Sequence, residues 1–212
     1  MDEMMNLRNQ DNGRNLLTQW LKLLLTVQTV SLAVSVVSMM LLLVPVGGLA
    51  KLMDLLGKVL GICVILVLYK LSPVNERYRF AFIASLIATA ATIAEQVTFG
   101  PGLALVVSLV SLAGSIGRIV ALYQEYHGHS EIIEAAGASE LTRKWCSLFV
   151  WQFVVGLVIS GVTIMVCMIG AAAETDMVRL VTVLVPIVSI PGLALEAVYL
   201  TYLKKTLALL ET

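Results

Sequence analysis

Six long apolar stretches, separated by short polar or turn-forming segments, constrain this chain more than any other feature of its sequence. They cover residues 16–43, 52–71, 78–96, 103–123, 145–169 and 177–203. About 20 helical residues are enough to cross the hydrocarbon core of a membrane, which is about 30 Å thick. The sequence therefore predicts an all-α, polytopic integral membrane protein, built as a bundle of six transmembrane helices.

The composition supports this class and excludes others. Of the 212 residues, 59% are hydrophobic and only 13% are charged, whereas a soluble domain carries about 25% charged residues. The formal net charge is zero, so no global basic field favours nucleic acid. We expect a lipid bilayer as the surroundings and no nucleic-acid partner.

The same pattern predicts one domain with short polar flanks. Residues 1–15 form a polar lead-in, residues 16–206 form the six-helix transmembrane domain with a polar connection at 124–144, and residues 207–212 form a C-terminal tail. The first apolar stretch is too long for a secretory core and has no Ala-x-Ala site behind it, so we expect no cleaved signal peptide.

The distribution of cations predicts an orientation. The side on which the first, third and fifth spans begin carries ten Lys or Arg residues, and the other side carries three. The ten are Arg8, Arg14, Lys22, Lys70, Arg77, Arg79, Arg143, Lys144, Lys204 and Lys205. By the positive-inside rule, both termini and the connection at 124–144 are expected to be cytoplasmic.

The connection begins with a polar run that contains His127 and His129. We interpret this run as a solvated loop, followed by a short amphipathic helix at the membrane surface that includes Ile132 and Ile133. Two histidines in a His-x-His pattern can bind a metal, but no third ligand is defined by the sequence. We therefore favour solvated histidines and expect no metal and no cofactor.

The fourth span contains Arg118. A face formed by Ser108, Ser111, Ser115 and Arg118 carries small and hydroxyl side chains, which gather where membrane helices touch, so we expect it to point into the bundle. Arg118 precedes the interfacial Tyr123 by five residues, which is roughly 7 Å along a helix. It can snorkel to the head groups, form a structural ion pair or bind a substrate.

The sixth span contains Pro186 and the pair Pro191-Gly192. Proline removes a backbone donor and crowds the preceding turn, so we expect a kink, or an unwound stretch of the kind that holds solutes in transporters. Gly192, Glu196 and Tyr199 share one face beyond it. The candidate residues of a pocket or helix break are Ser115, Pro186, Pro191, Gly192 and Tyr199.

Arg118 and Glu196 form the candidate intramembrane polar pair. Glu196 precedes Lys204 by eight residues, or roughly 12 Å, a depth comparable to that of Arg118. Meeting inside the bundle would mainly reduce the cost of burying both charges.

Aromatic residues also recur at the helix ends of one side, as in Tyr69, Tyr123 and Tyr199. The recurrence fits three related helical hairpins around a common axis. It fits equally well the general enrichment of aromatic residues and cations at a membrane interface.

Two classes of function stay open. No hydrolase elbow, Walker loop or zincin helix is present in the sequence, so we expect no enzyme. Arg118, Glu196 and the Pro-Gly break favour the binding or transport of a small solute. Six spans in about 200 residues are also similar, in size and topology alone, to the substrate-binding subunits of energy-coupling-factor vitamin transporters.

The competing class is a non-catalytic scaffold or partner subunit that contacts another membrane protein or a second copy through the connection. The stretch that starts Tyr123-Gln124-Glu125-Tyr126 and ends Arg143-Lys144-Trp145 resembles a connection in small polytopic membrane proteins of Firmicutes-type bacteria. The resemblance covers about 25 residues, implies a bacterial cytoplasmic membrane and brings no activity. A polar pocket lined by Arg118 or Glu196 would favour transport, and a dry, packed interior would favour a scaffold.

Overall fold

The structure is a computed structural model that describes residues 2–43, 47–96, 104–172 and 177–211, with the side chains of 13–41, 48–94, 106–166, 168 and 186–211. The described residues form six helices: α1 (Asp2–Leu43), α2 (Gly47–Leu71), α3 (Glu76–Gln96), α4 (Ala104–Ala135), α5 (Ser139–Ala172) and α6 (Met177–Glu211). The predicted all-α bundle is confirmed. Residues 44–46, 97–103 and 173–176, where turns are predicted, lie outside the described residues.

The helices form a closed, antiparallel ring. Each helix contacts its neighbours in sequence, and α6 returns to contact α1. At that closure the Arg14 side chain donates a hydrogen bond to the carbonyl of Leu210 at 2.8 Å, and Lys22 lies 2.6 Å from Glu211. The chain thus makes three helical hairpins, α1/α2, α3/α4 and α5/α6. That these hairpins are related to one another stays a prediction.

One end of the ring is marked by its cations, and we call it the basic end. Here α1, α3 and α5 begin and α2, α4 and α6 end. Its described cationic residues are Arg14, Lys22, Lys70, Arg77, Arg79, Arg143, Lys144, Lys204 and Lys205.

Five of the described helices are long and apolar enough to cross a membrane, in the segments Gly13–Leu41, Gly48–Leu71, Val106–Ala135, Ser139–Val166 and Pro186–Glu211. Their large apolar side chains are widely exposed, including 70% of Met168, as expected for helices that face lipid. The predicted third span, in α3, is not among the five. Charged residues fill its first turn and small residues fill much of the rest.

The hydrophobic core lies at the basic end, where all six helices contribute to it. Its members are Leu17, Leu21, Leu24, Val67, Leu68, Leu71, Tyr78, Ala81, Tyr126, Ile133, Trp145, Leu148, Tyr199, Leu203, Leu207 and Leu210. Trp145 and Tyr78 are the largest of the fully buried side chains. Burial of this kind fixes the helix ends relative to one another.

The closest helix contact is between α3 and α4, where small residues face each other. A Cβ atom added to Gly117 would lie 3.1 Å from the carbonyl oxygen of Ala84, and one added to Gly114 would lie 2.8 Å from the Cβ of Ala91. Glycine and alanine allow such an approach because they leave room for the partner backbone.

This contact corrects two sequence-based interpretations of helix packing. The face of α4 that carries Ser111, Ser115 and Arg118 is exposed rather than turned into the bundle, and Gly114 and Gly117 are buried instead. Gly57 and Gly61 form a Gly-x-x-x-Gly pattern, which from the sequence alone predicts close helix packing. In the described part of the chain, a Cβ atom added to either residue would have no atom within 4 Å. The absence of a side chain at Gly114 and Gly117 determines which face of α4 touches α3.

The polar flanks and the connection at 124–144 differ from the sequence-based prediction. Residues 2–15 belong to α1, Leu207 and Leu210 of the predicted tail lie in the core, and α4 continues to Ala135. The α4 to α5 turn is short and closes at Gly137, which has φ of +81°. The Ala138 amide donates to the Ile133 carbonyl and the Gly137 amide donates to the Glu134 carbonyl, which is a Schellman C-cap.

Candidate functional site

A cleft with mixed polar and apolar walls opens between α1, α2 and α6, away from the basic-end core. Its volume is about 740 Å³, and Ile159 of α5 completes the wall. The polar residues that line it are Ser35, Ser38, Asp54, Lys58, Ser189 and Glu196. We call it the α1/α2/α6 cleft.

The described lining of this cleft carries two acidic side chains and one basic side chain. Asp54 and Lys58 form an ion pair at 2.8 Å between residues four apart on α2. Glu196 is half-buried and has no hydrogen bond and no ion pair to any residue that the structure describes. With Asp54 and Lys58 neutralising each other, the carboxylate of Glu196 gives the described lining residues an excess of negative charge.

The sequence makes room for the cleft with small residues. A Cβ atom added to Gly192 would meet nothing within 4 Å among the described atoms. Pro186 and Pro191 lie inside α6, which is helical from Met177 to Glu211, so the unwound alternative is corrected. Pro191 has no backbone N–H, and the carbonyl of Ile187 therefore lacks its usual helical partner.

A second, smaller groove of about 250 Å³ runs between α4 and α5, and we call it the α4/α5 groove. Arg118 lines it and donates a hydrogen bond from Nη2 to the hydroxyl of Thr92 on α3 at 2.6 Å. Ser115, also in the lining, donates its hydroxyl to the carbonyl of Ser111 at 3.0 Å. On the α5 side, the side-chain oxygen of Gln152 is buried and has no hydrogen-bond partner among the described residues.

The structure does not bring Arg118 and Glu196 together. No ion pair joins them among the described residues, and each lines a different cavity. Arg118 lies toward α3 and α5, whereas Glu196 lies toward α1 and α2. The ring order explains the separation: α4 and α6 contact each other only slightly, with α5 between them in the chain.

The basic end holds a buried polar network that the sequence did not predict. His129 is fully buried, and its Nδ1 lies 2.8 Å from the hydroxyl of Tyr78. The hydroxyl of Tyr199 donates to Glu125 at 2.5 Å, and Glu125 lies 3.8 Å from Nε2 of His129. The interpretation of His129 as a solvated loop histidine is therefore wrong, as is the expectation that Tyr199 lines the cleft with Glu196.

Trp145 covers this network from α5. Its indole N–H donates to the buried hydroxyl of Thr206 at 3.2 Å. Its ring lies 4.5 Å from the ring of His129 and 5.3 Å from that of Tyr199, measured between centroids. Nε2 of His129 has no hydrogen-bond partner among the described residues, but the other buried polar groups of the network satisfy one another, and such networks hold helices in one arrangement.

Hydrogen bonds also join the α2 to α3 turn and the start of α3 to α4. Arg77 donates to Glu131 at 2.8 Å and to Gln124 at 3.1 Å, and Asn75 donates to Glu131 at 3.0 Å. The hydrogen bond to Glu131 is the largest cause that raises the pKa of the Arg77 guanidinium above its ordinary value. The carboxylate of Glu131 thus serves two donors at once.

His127, the second histidine of the polar run, lies apart from this network. Its Nδ1 lies 2.9 Å from the carbonyl of Tyr123, so the ring forms a hydrogen bond with the backbone one turn earlier in its own helix. Among the residues that the structure describes, no group of three or more His, Cys, Asp or Glu side chains is arranged to hold a metal ion.

Compared with known proteins, the chain matches no family model, no curated protein and no solved structure. In its described residues the chain is thus helical, with five segments long and apolar enough to cross a membrane. It has a packed basic end and a cleft in which the carboxylate of Glu196 has no partner among the described residues.

Proposed function

We propose that this protein binds a small, positively charged solute in the α1/α2/α6 cleft and takes part in its transport across the membrane. The observation that carries the proposal is the half-buried carboxylate of Glu196, which has no cationic partner among the described residues. Ionisable residues within membrane helices are costly and mark substrate pathways by default.

The chemistry of the lining specifies the class of solute. An ammonium or guanidinium group would give Glu196 a charge-assisted hydrogen bond, which is about twice as strong as a neutral one. Ser35 and Ser38 on α1 lie in the same lining and offer hydroxyl groups to a polar solute. A positively charged organic amine with hydroxyl or amide groups fits this set better than an anion does.

The size of the cleft fits the same proposal. Small-molecule sites usually measure about 300–1,000 Å³, and the cleft measures about 740 Å³. The α4/α5 groove, at about 250 Å³, falls below that range. The cleft is therefore large enough to hold a whole small solute, and the groove is not.

Orientation and location form part of the proposal. The excess of cations at the basic end supports a cytoplasmic basic end, with both termini in the cytoplasm. The resemblance of residues 123–145 to bacterial membrane proteins supports a bacterial cytoplasmic membrane. Catalysis is not part of this function.

Thermal unfolding of the purified protein in a neutral detergent tests the proposal against a panel of organic amines, with neutral and acidic metabolites beside them. Binding at 100 times the dissociation constant stabilises the folded state by about 2.7 kcal/mol, which raises the midpoint by about 5–10 °C in a chain of this length. We expect this shift with an amine for the wild type, and its loss in Glu196→Gln. Glu134→Gln is the matched control, because Glu134 is exposed at the end of α4.

Two other outcomes would contradict the proposed function. An amine that shifts Glu196→Gln as much as the wild type would remove Glu196 from the site. No shift with any compound would favour the scaffold alternative. A partner would then have to dock on the exposed residues of the α4 to α5 turn, because Glu125, His129 and Ser130 of the polar run are buried.

A further inference from the structure

The α4/α5 groove contains a cation and an unpartnered acceptor side by side, and the α1/α2/α6 cleft does not explain either of them. Arg118 has five N–H donors, and the described residues give it one hydrogen bond, to Thr92. Gln152, across the groove on α5, has a buried side-chain oxygen with no donor among the described residues. Both residues line the groove, which leaves a space that a ligand can fill.

The remaining walls of the groove are apolar and include Phe149, Phe153 and Leu157. Leu157 and Ile119 are also exposed on the outer surface of the bundle, so the groove continues onto the face that meets acyl chains. A polar floor that opens onto an apolar outer face suits an amphiphile better than a water-soluble ion.

The depth of the groove is that of lipid head groups and the first acyl carbons. Arg118 is five residues from Tyr123, which corresponds to about 7 Å along a helix. Tyrosine and tryptophan concentrate at the level of the head groups. A lipid phosphate can reach Arg118 from that level, because the arginine side chain extends toward the interface.

We propose that the α4/α5 groove binds the head group of an anionic membrane lipid, with the phosphate on Arg118 and a head-group hydroxyl donating to Gln152. Charge complementarity selects an anion, since Arg118 carries the one charge in the lining. The volume of about 250 Å³ suits a head group, while the acyl chains would lie outside along Leu157 and Ile119. A phosphatidylglycerol head group supplies both the phosphate and the hydroxyl.

The test uses the purified, delipidated protein in a neutral detergent, with dioleoyl phosphatidylglycerol, dioleoyl phosphatidylcholine and inorganic phosphate as separate additives. We expect phosphatidylglycerol to raise the unfolding midpoint of the wild type by about 2–5 °C, and the other two additives to leave it unchanged. The shift should vanish in Arg118→Gln and shrink in Gln152→Leu. It should persist in Arg143→Gln, which removes an exposed cation at the basic end.

A second measurement does not depend on the stability of the variants. Native mass spectrometry of the wild type, equilibrated with equal amounts of the two lipids, should show retained phosphatidylglycerol. An equal shift in Arg118→Gln, an equal shift with inorganic phosphate, or equal retention of the two lipids would overturn the proposal.

Discussion

The two halves of this bundle are built in opposite ways. At the basic end all six helices meet in one core, and even polar side chains such as His129 and Thr206 are fully buried. In the other half, α1, α2 and α6 leave a cleft of about 740 Å³ with charged and hydroxyl groups in its walls. The chain thus concentrates its packing at the basic end and leaves space in the other half.

This difference indicates which interactions determine the fold. Apolar side chains that face lipid gain little from burial against one another, because lipid tails are as apolar as leucine. Aromatic rings, hydroxyls and charged groups gain more from specific partners, and at the basic end such groups have partners on other helices. We infer that the basic end holds the helices together and that the other half is free to form a binding site.

The largest expected effect comes from a tryptophan. Trp145→Ala removes a fully buried ring from the basic-end core, and we expect it to lower the free energy of unfolding by about 3–5 kcal/mol. Trp151→Ala, on the same helix, removes a ring that is 59% exposed and should leave stability within about 0.5 kcal/mol. Reversible unfolding in mixed detergent micelles measures both, and equal losses would contradict the contrast between the two halves.

A smaller effect is expected from one hydroxyl group. Tyr199→Phe removes the donor to Glu125 and leaves a buried carboxylate with one partner fewer, which should lower the free energy of unfolding by about 2 kcal/mol. Tyr202→Phe, three residues later on α6, serves as the control because Tyr202 is only partly buried. The same unfolding assay applies, and a neutral Tyr199→Phe would mean that the network adds nothing to stability.

Glycine substitutions compare the packed and open surfaces at a finer scale. Gly117→Ala places a Cβ atom 3.1 Å from the backbone of Ala84, so we expect a net loss of about 1 kcal/mol despite the higher helix propensity of alanine. Gly61→Ala meets no described atom within 4 Å and should gain up to about 1 kcal/mol from propensity alone. Thermal midpoints of the two variants should therefore move in opposite directions, and a shared direction would contradict the assigned contact.

The smallest effect concerns the two charges that lie apart. Arg118→Gln and Glu196→Gln should act independently, with a coupling energy within about 0.5 kcal/mol in a double-mutant cycle, because the two residues line separate cavities. A coupling above about 1 kcal/mol would instead restore the ion pair that their similar depth predicts from the sequence.

The fold was largely predictable, because hydropathy and length locate membrane helices well. Each of the six apolar stretches lies largely within one of the six described helices. Glu196, predicted as the partner of Arg118, lies in the lining of the α1/α2/α6 cleft. Ser35, Ser38, Asp54 and Lys58 appeared in the sequence only as local patterns, since nothing in the sequence shows that α1 and α2 face α6.

The polar network was not predicted, because its partners lie on different helices. His129 meets Tyr78 of α3 and Trp145 of α5, and a polar run read by itself resembles a loop. One feature of the sequence does indicate that α4 continues through the polar run. Tyr126, His129 and Ile133 continue the helical spacing of α4, and Gly137 stands where a C-cap requires a positive φ.

The central claim is that water and charged solutes reach the cleft but not the basic-end core, and cysteine labelling in membranes tests it most directly. In a background without native cysteines, Gly192→Cys places a thiol in the cleft, Ser130→Cys places one in the core, and Met168→Cys places one on the lipid-facing surface. We predict that a membrane-impermeant, positively charged thiol reagent modifies only Gly192→Cys in the folded protein. Rapid modification of Ser130→Cys, or protection of Gly192→Cys equal to that of Met168→Cys, would contradict the claim.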